Sequence, residues 1–180
     1  MKHYNYSTIL HTVWEKAVRL YGTGKRGAAA FFTPEETAFL ESIGLTPQEV
    51  YDFAEDYNNG GEPDYGTFAA IHDLRRSYFL EVQKGKRTGR QLDPATLPAK
   101  DAQARGLRWL PRIIPKAKAK LRGELSPDIM YSCGGDRNFL REHDIHPAEF
   151  LRVVWQNEAN DEAIMDWVER RSRQAHGKSV

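Results

Sequence analysis

Apolar residues recur along this chain at spacings of three and four rather than two, and most segments that carry them open on a residue able to cap a helix. That pattern predicts an all-α protein. A first helix is expected from about Ser7 to Tyr21, with Leu10, Val13, Trp14, Ala17 and Tyr21 on one stripe, ending at Gly22. Thr33-Pro34-Glu35-Glu36 reads as a helix start, because threonine caps an orphan N–H, proline fits the first turn and Glu36 returns a bond to the cap residue. Thr46-Pro47-Gln48-Glu49 repeats the device. The helix between the two is expected to bury Phe39, Leu40 and Ile43, and the next Val50, Phe53, Ala54 and Tyr57 before NNGGEP ends it. A fourth begins near Asp64 and sends Phe68, Ile71, Tyr78, Phe79 and Val82 inward.

Compared with itself at an offset of 100 residues, the chain aligns FLESIGLTPQEVYDFA with FLREHDIHPAEFLRVV without a gap. Phe39 meets Phe139, Leu40 Leu140, Leu45 Ile145, Pro47 Pro147, Glu49 Glu149 and Val50 Phe150. Identity falls on apolar, proline and cap-partner positions, so a helix-turn-helix unit and its packing are repeated rather than a catalytic set. Two related helical lobes follow, expected to pack as one bundle-like domain. The N-terminal lobe covers 1–83, with the first repeat at 31–79; 84–101, rich in Gly and Pro, connects to a C-terminal lobe at 102–172. NDEAIMDWVERR supplies its last helix through Ile164, Trp167 and Val168, and 173–180 reads as an unstructured tail.

Composition narrows the setting more than the function. A chain of 180 residues buries enough surface to fold without staples, and its single cysteine excludes an internal disulfide. The N-terminal MKHYNYSTILHTVWEK lacks the continuous apolar run of a signal peptide, and no stretch approaches a membrane span, so the expected setting is the cytoplasm. A formal charge of +1 argues for neither nucleic acid nor membrane. Its distribution is uneven: residues 27–74 hold ten acids and no lysine or arginine, whereas residues 105–122, RGLRWLPRIIPKAKAKLR, hold no acid.

On one continuous helix Arg108, Arg112, Lys116 and Lys120 would form an i, i+4 row beside an apolar stripe of Leu107, Leu110, Ile114, Ala117 and Leu121, with Pro115 bending or starting the helix. Three readings compete: a solvated face, a partner for the acidic lobe, or an anion site for phosphate or nucleic-acid backbone with Trp109 available to stack.

The other candidate is YSCGGDRNFL. Gly134 and Gly135 lend backbone freedom to a turn, Asp136 reads as an N-cap, and Cys133 as a small buried apolar residue ahead of the helix. The sharper alternative is a reactive thiol working with His143 or His146 as base, and a metal site of Cys133, Asp136, His143 and His146 ranks below it for want of a ligand-spacing motif. No cofactor is implied. Trp14, Trp109, Trp155, Trp167, His11 and His72 read as core residues.

From Leu110 to Val168, LPRIIPKAKAKLRGEL, YSCGGDRNFL, IHPAEFL and DEAIMDWV follow one another in an order that resembles the bacterial family catalogued as domain of unknown function 5069. The resemblance implies a small helical domain and transfers no catalytic residue. The expectation is a non-enzymatic helical interaction module for an unidentified protein partner, with Arg108, Trp109, Arg112, Lys116, Asp136 and Arg137 as its surface. The rivals are an enzyme or small-anion binder using a cleft near Cys133, Asp136 and Arg112, and a binder of nucleic-acid backbone through 105–122.

Overall fold

The computed structural model describes residues 3–177. It divides into two compact units, Met1–Thr88 and Gly89–Val180. The first holds α1 (Tyr6–Gly22), α2 (Pro34–Ser42), α3 (Pro47–Gly60) and α4 (Tyr65–Glu81). The second holds α5 (Leu110–Arg122), α6 (Gly134–Glu142), α7 (Pro147–Gln156) and α8 (Asp161–Ala175). Its only addition to the all-α expectation among the described residues is a hairpin of β1 (Gln103–Ala104) and β2 (Leu107–Arg108). Arg105 (φ 53°) and Gly106 (φ 76°) form its two-residue turn, both left-handed as a tight hairpin requires. Arg108 therefore lies on a strand and cannot extend a helical row.

Helix starts follow the expected chemistry. Thr33 and Thr46 each accept the N–H of the residue three further on, and Glu36 and Glu49 return the bond, which makes two complete capping boxes. Asp64 caps α4 by accepting the Thr67 N–H at 2.8 Å. In the first unit Phe39 is only half-buried and Val82 is 49 % exposed, so neither belongs to the core as expected. Trp109, Trp155 and Trp167 are likewise only half-buried, and His11 is exposed. Helix α8 runs through Ala175, which makes residues 173–175 helical, and 178–180 of the expected tail lie outside the described residues. Among the described residues no helix is long and apolar enough to cross a membrane.

The duplication reaches further than the gapless match at 39–54. At the same offset of 100, Leu10, Val13, Trp14, Ala17 and Tyr21 of α1 correspond to Leu110, Ile113, Ile114, Ala117 and Leu121 of α5, and all ten are buried. Phe31 corresponds to Tyr131, also buried in both. The corner after α2 closes with Ile43 N–H on Leu40 O at 3.1 Å and Leu45 N–H on Leu40 O at 2.9 Å. The corner after α6 repeats it with His143 and Ile145 on Leu140 O at 3.2 and 2.9 Å.

The fourth helices match at an offset of 96, because α3 has 14 residues and α7 has 10. Asp64 then meets Asn160, each capping its helix, and Phe68 meets Ile164, both 0 % exposed. Arg75 Nε donates to Gly44 O at 3.1 Å, and Arg171 donates to Asp144 O at 2.7 Å, so an arginine of the last helix pins the same corner carbonyl in each unit. Gly44 (φ 82°) lies so close to Phe79 that a Cβ would stand 2.7 Å from the ring. In the second unit Ala175 occupies the place of Phe79, and Asp144 takes the left-handed corner with φ 52°.

Candidate functional site

Lys116 on α5 and Asp136 on α6 meet inside the second unit, Nζ to Oδ2 at 2.6 Å, with side chains 3 % and 0 % exposed. Asp136 is the third residue of α6 and Cys133 is the N-cap, which corrects the expectation that Asp136 caps the helix. The two glycines supply the first helical positions instead. From that place the carboxylate takes three donors: Lys116, the Ser132 backbone N–H at 2.9 Å and the Trp109 indole N–H at 2.9 Å. A buried carboxylate needs this degree of satisfaction to stay tolerable. Burial, and then the Asp136 charge, push the Tyr131 phenol well above its ordinary pKa, while its hydroxyl donates to Pro147 O at 2.7 Å.

Backbone geometry brings the donors in. Trp109 is the residue ahead of α5 and adopts φ 77°, a left-handed conformation rare outside glycine, asparagine and aspartate. Its ring lies on Gly135, where a Cβ would approach Trp109 Cζ2 to 2.4 Å. Gly135 is thus required for the indole to reach Asp136. Ser132 also turns left-handed, with φ 69°, and presents its N–H to the carboxylate. Pro115 lies inside α5, which continues past it.

Cys133 is half-buried rather than sealed, and Lys116 Nζ also donates to its Sγ at 3.2 Å. Lys116 engages the Cys133 thiol, while His143 and His146 each make contacts of their own elsewhere. His143 is buried against Phe139, and His146 is exposed and accepts the Ala148 N–H. Among the described residues no group of three or more His, Cys, Asp or Glu side chains is placed to hold a metal ion.

The basic segment is largely consumed within the unit. Lys116 and Lys120 are 3 % and 1 % exposed, which overturns the solvated i, i+4 row. Arg112 donates to Pro98 O at 2.6 Å, and Arg137 to Ser132 O at 2.6 Å. Lys118 pairs with Asp161, Arg122 with Glu158, and Arg105 with Glu162, Asp166 and Glu169 along α8. The hydrogen bond from Arg105 holds the Asp166 carboxyl below the usual carboxylate range. These acids belong to α8 and the corner before it, not to residues 27–74.

Every residue of this cluster falls in one stretch of the chain. Residues 97–180 match the family described as Domain of unknown function (DUF5069). Comparison with curated proteins and comparison with solved structures each found no match. The DUF5069 segment starts at the buried Leu97, ahead of the Leu110 at which the resemblance in sequence begins, and so takes in the hairpin and Trp109.

The first unit holds the counterpart of the DUF5069 cluster. Lys16 Nζ meets Glu36 Oε2 at 2.6 Å, and Glu36 also accepts the Thr33 N–H at 2.8 Å. Lys16 and Glu36 stand 100 residues before Lys116 and Asp136. Their side chains are 26 % and 24 % exposed. Sequence reasoning missed this pair, although extending the self-comparison upstream from Phe39 lines up Leu10, Lys16 and Ala17 with Leu110, Lys116 and Ala117. At the remaining places the copies differ: Ile9, Thr33, Pro34 and Glu35 stand where the second unit has Trp109, Cys133, Gly134 and Gly135.

Proposed function

We propose that this chain is a non-enzymatic interaction module built from two copies of one four-helix unit. The observation that carries this reading is the recurrence of the lysine–carboxylate brace in a copy with neither the cysteine nor the tryptophan. A brace shared by both copies belongs to the architecture, and the ammonium, carboxylate and indole of the second copy are spent on one another. Of the surface expected from the sequence, Lys116 and Asp136 are buried, so the available part centres on Arg108, with Arg112 and Arg137 half-buried beside their backbone partners. A protein partner is expected to be captured when the full chain is cross-linked in cell extract, and Arg108→Glu to reduce the yield of that product at least tenfold. Wild-type chain that yields no specific product, or a product indifferent to Arg108→Glu, counts against the reading.

A second reading, thiol chemistry at Cys133, has one specific observation in its favour. Lys116 Nζ lies 3.2 Å from Sγ at the start of a helix, where positive charge stabilises negative charge developing on sulfur. The corresponding Thr33 of the first unit instead completes a capping box. Alkylation of the native chain near neutral pH decides between the two. A structural Cys133 reacts more slowly than free glutathione until the chain is unfolded, whereas a faster reaction than glutathione favours thiol chemistry.

A further inference from the structure

The corner between α6 and α7 contains a titratable group that its twin does without. Ile43 and His143 both cap the preceding helix, with φ −107° and −105°, and both are buried, at 0 % and 4 % exposure. The fold asks for an apolar side chain here, and the first unit supplies one. In the second unit the imidazole packs edge-on against Phe139, with ring centroids 4.7 Å apart, and its Nδ1 is buried without a hydrogen-bond partner. On its outer side the ring meets His176, the cap residue at the end of α8, with centroids 6.0 Å apart.

We infer that the His143–His176 contact is an acid-sensitive latch that releases the last turn of α8 from the α6–α7 corner as pH falls. This goes beyond the proposed interaction module and does not depend on it. Neutral His143 fits the pocket as isoleucine does, apart from one unsatisfied nitrogen. Protonated, it would place a charge against Phe139 and beside a second imidazole. The other titratable and charged groups around the corner include Arg141, Glu142, Asp144 and His146, all exposed, and Arg171 from α8, which Asp144 O and Glu149 of α7 already engage. Glu142 favours the charged imidazole, yet burial outweighs it and, with His176, holds the pKa of His143 below the ordinary value.

The sign follows. The unfolded or released form takes up its proton first as pH drops through about 6.5. The docked form is therefore favoured fully above that pH and loses ground below it, until the buried ring is itself protonated.

Hydrogen exchange on the full chain tests the latch. Protection factors of the amides at 172–176, corrected for intrinsic rates, are expected to fall severalfold, up to about tenfold, between pH 7.5 and 5.5, while those in the middle of α7 hold. His143→Ile, which installs the residue of the first unit, should abolish the fall. If that variant folds poorly, His143→Gln, polar but unable to charge, serves the same purpose. Unchanged protection in the wild type, or an equal fall in a folded variant without His143, overturns the inference.

Discussion

Lys116→Met will destabilise the second unit by about 3–5 kcal/mol, the usual effect of removing one member of a buried ion pair. The cost arises because Asp136, 0 % exposed, loses its buried ammonium partner, while the indole and the Ser132 N–H remain in place. Adding Asp136→Asn should recover part of the loss, since no charge is left buried, although the single amide oxygen keeps only one of the two remaining donors, the Trp109 indole on Oδ1 or the Ser132 N–H on Oδ2. The matching change in the first unit, Lys16→Met, is expected to cost at most about 1 kcal/mol, because that pair is a quarter exposed and screened by water. Urea unfolding of the three variants and the wild type measures all of this. A Lys116→Met variant within about 1 kcal/mol of wild type would mean that the pair is far better hydrated than its geometry implies.

Two adjacent glycines are expected to respond in opposite ways to the same added methyl group. At Gly135 a Cβ meets Trp109 Cζ2 at 2.4 Å and Cη2 at 2.6 Å. The ring cannot yield without giving up its bond to Asp136. Gly135→Ala should therefore cost about 1–3 kcal/mol in overpacking, and about 1.5–3 kcal/mol more where the indole bond to the carboxylate is lost. At Gly134 the nearest atom to an added Cβ is the Arg137 guanidinium at 3.9 Å, an ordinary contact. Gly134→Ala should stabilise by about 0.5–1 kcal/mol through a less disordered unfolded chain. Thermal unfolding, with Trp109 fluorescence as a second readout, separates the two. Equal melting temperatures for the two variants would show that the indole does not press on the helix start.

Much of the fold was legible because local rules and tertiary packing agree. Thr33, Thr46 and Asp64 cap the helices that their sequences announce, and the buried stripes at Leu10, Val13, Trp14 and Ala17 follow helical spacing. The repeat was visible where identity was dense, around Phe39 and Phe139, and faded where only a lysine, a leucine and an alanine survived.

The cluster itself was misjudged for a physical reason. Lysines at helical spacing ordinarily face water, and nothing local shows that a carboxylate 20 residues away will neutralise Lys116 in the interior. The twin offered the missing signal at one position, since Lys120 stands where the first unit has Leu20. Asp136 was misplaced because Gly-Gly reads as a turn, although glycines are equally able to form the first turn of a helix when a ring must lie on one of them. The hairpin left no alternating pattern, because its strands are two residues long.

The left-handed Trp109 also bears on the order in which the second unit assembles. Its backbone conformation costs energy on its own; its N–H donates to Ala102 O at 3.0 Å, but its ring is held by partners 26 and 27 residues later, Gly135 beneath it and Asp136 at the indole nitrogen. A nascent chain that has emerged only as far as Arg122 therefore lacks both partners of the indole ring. The hairpin, α5 and α6 are expected to mature together in one late, cooperative step rather than in order of synthesis.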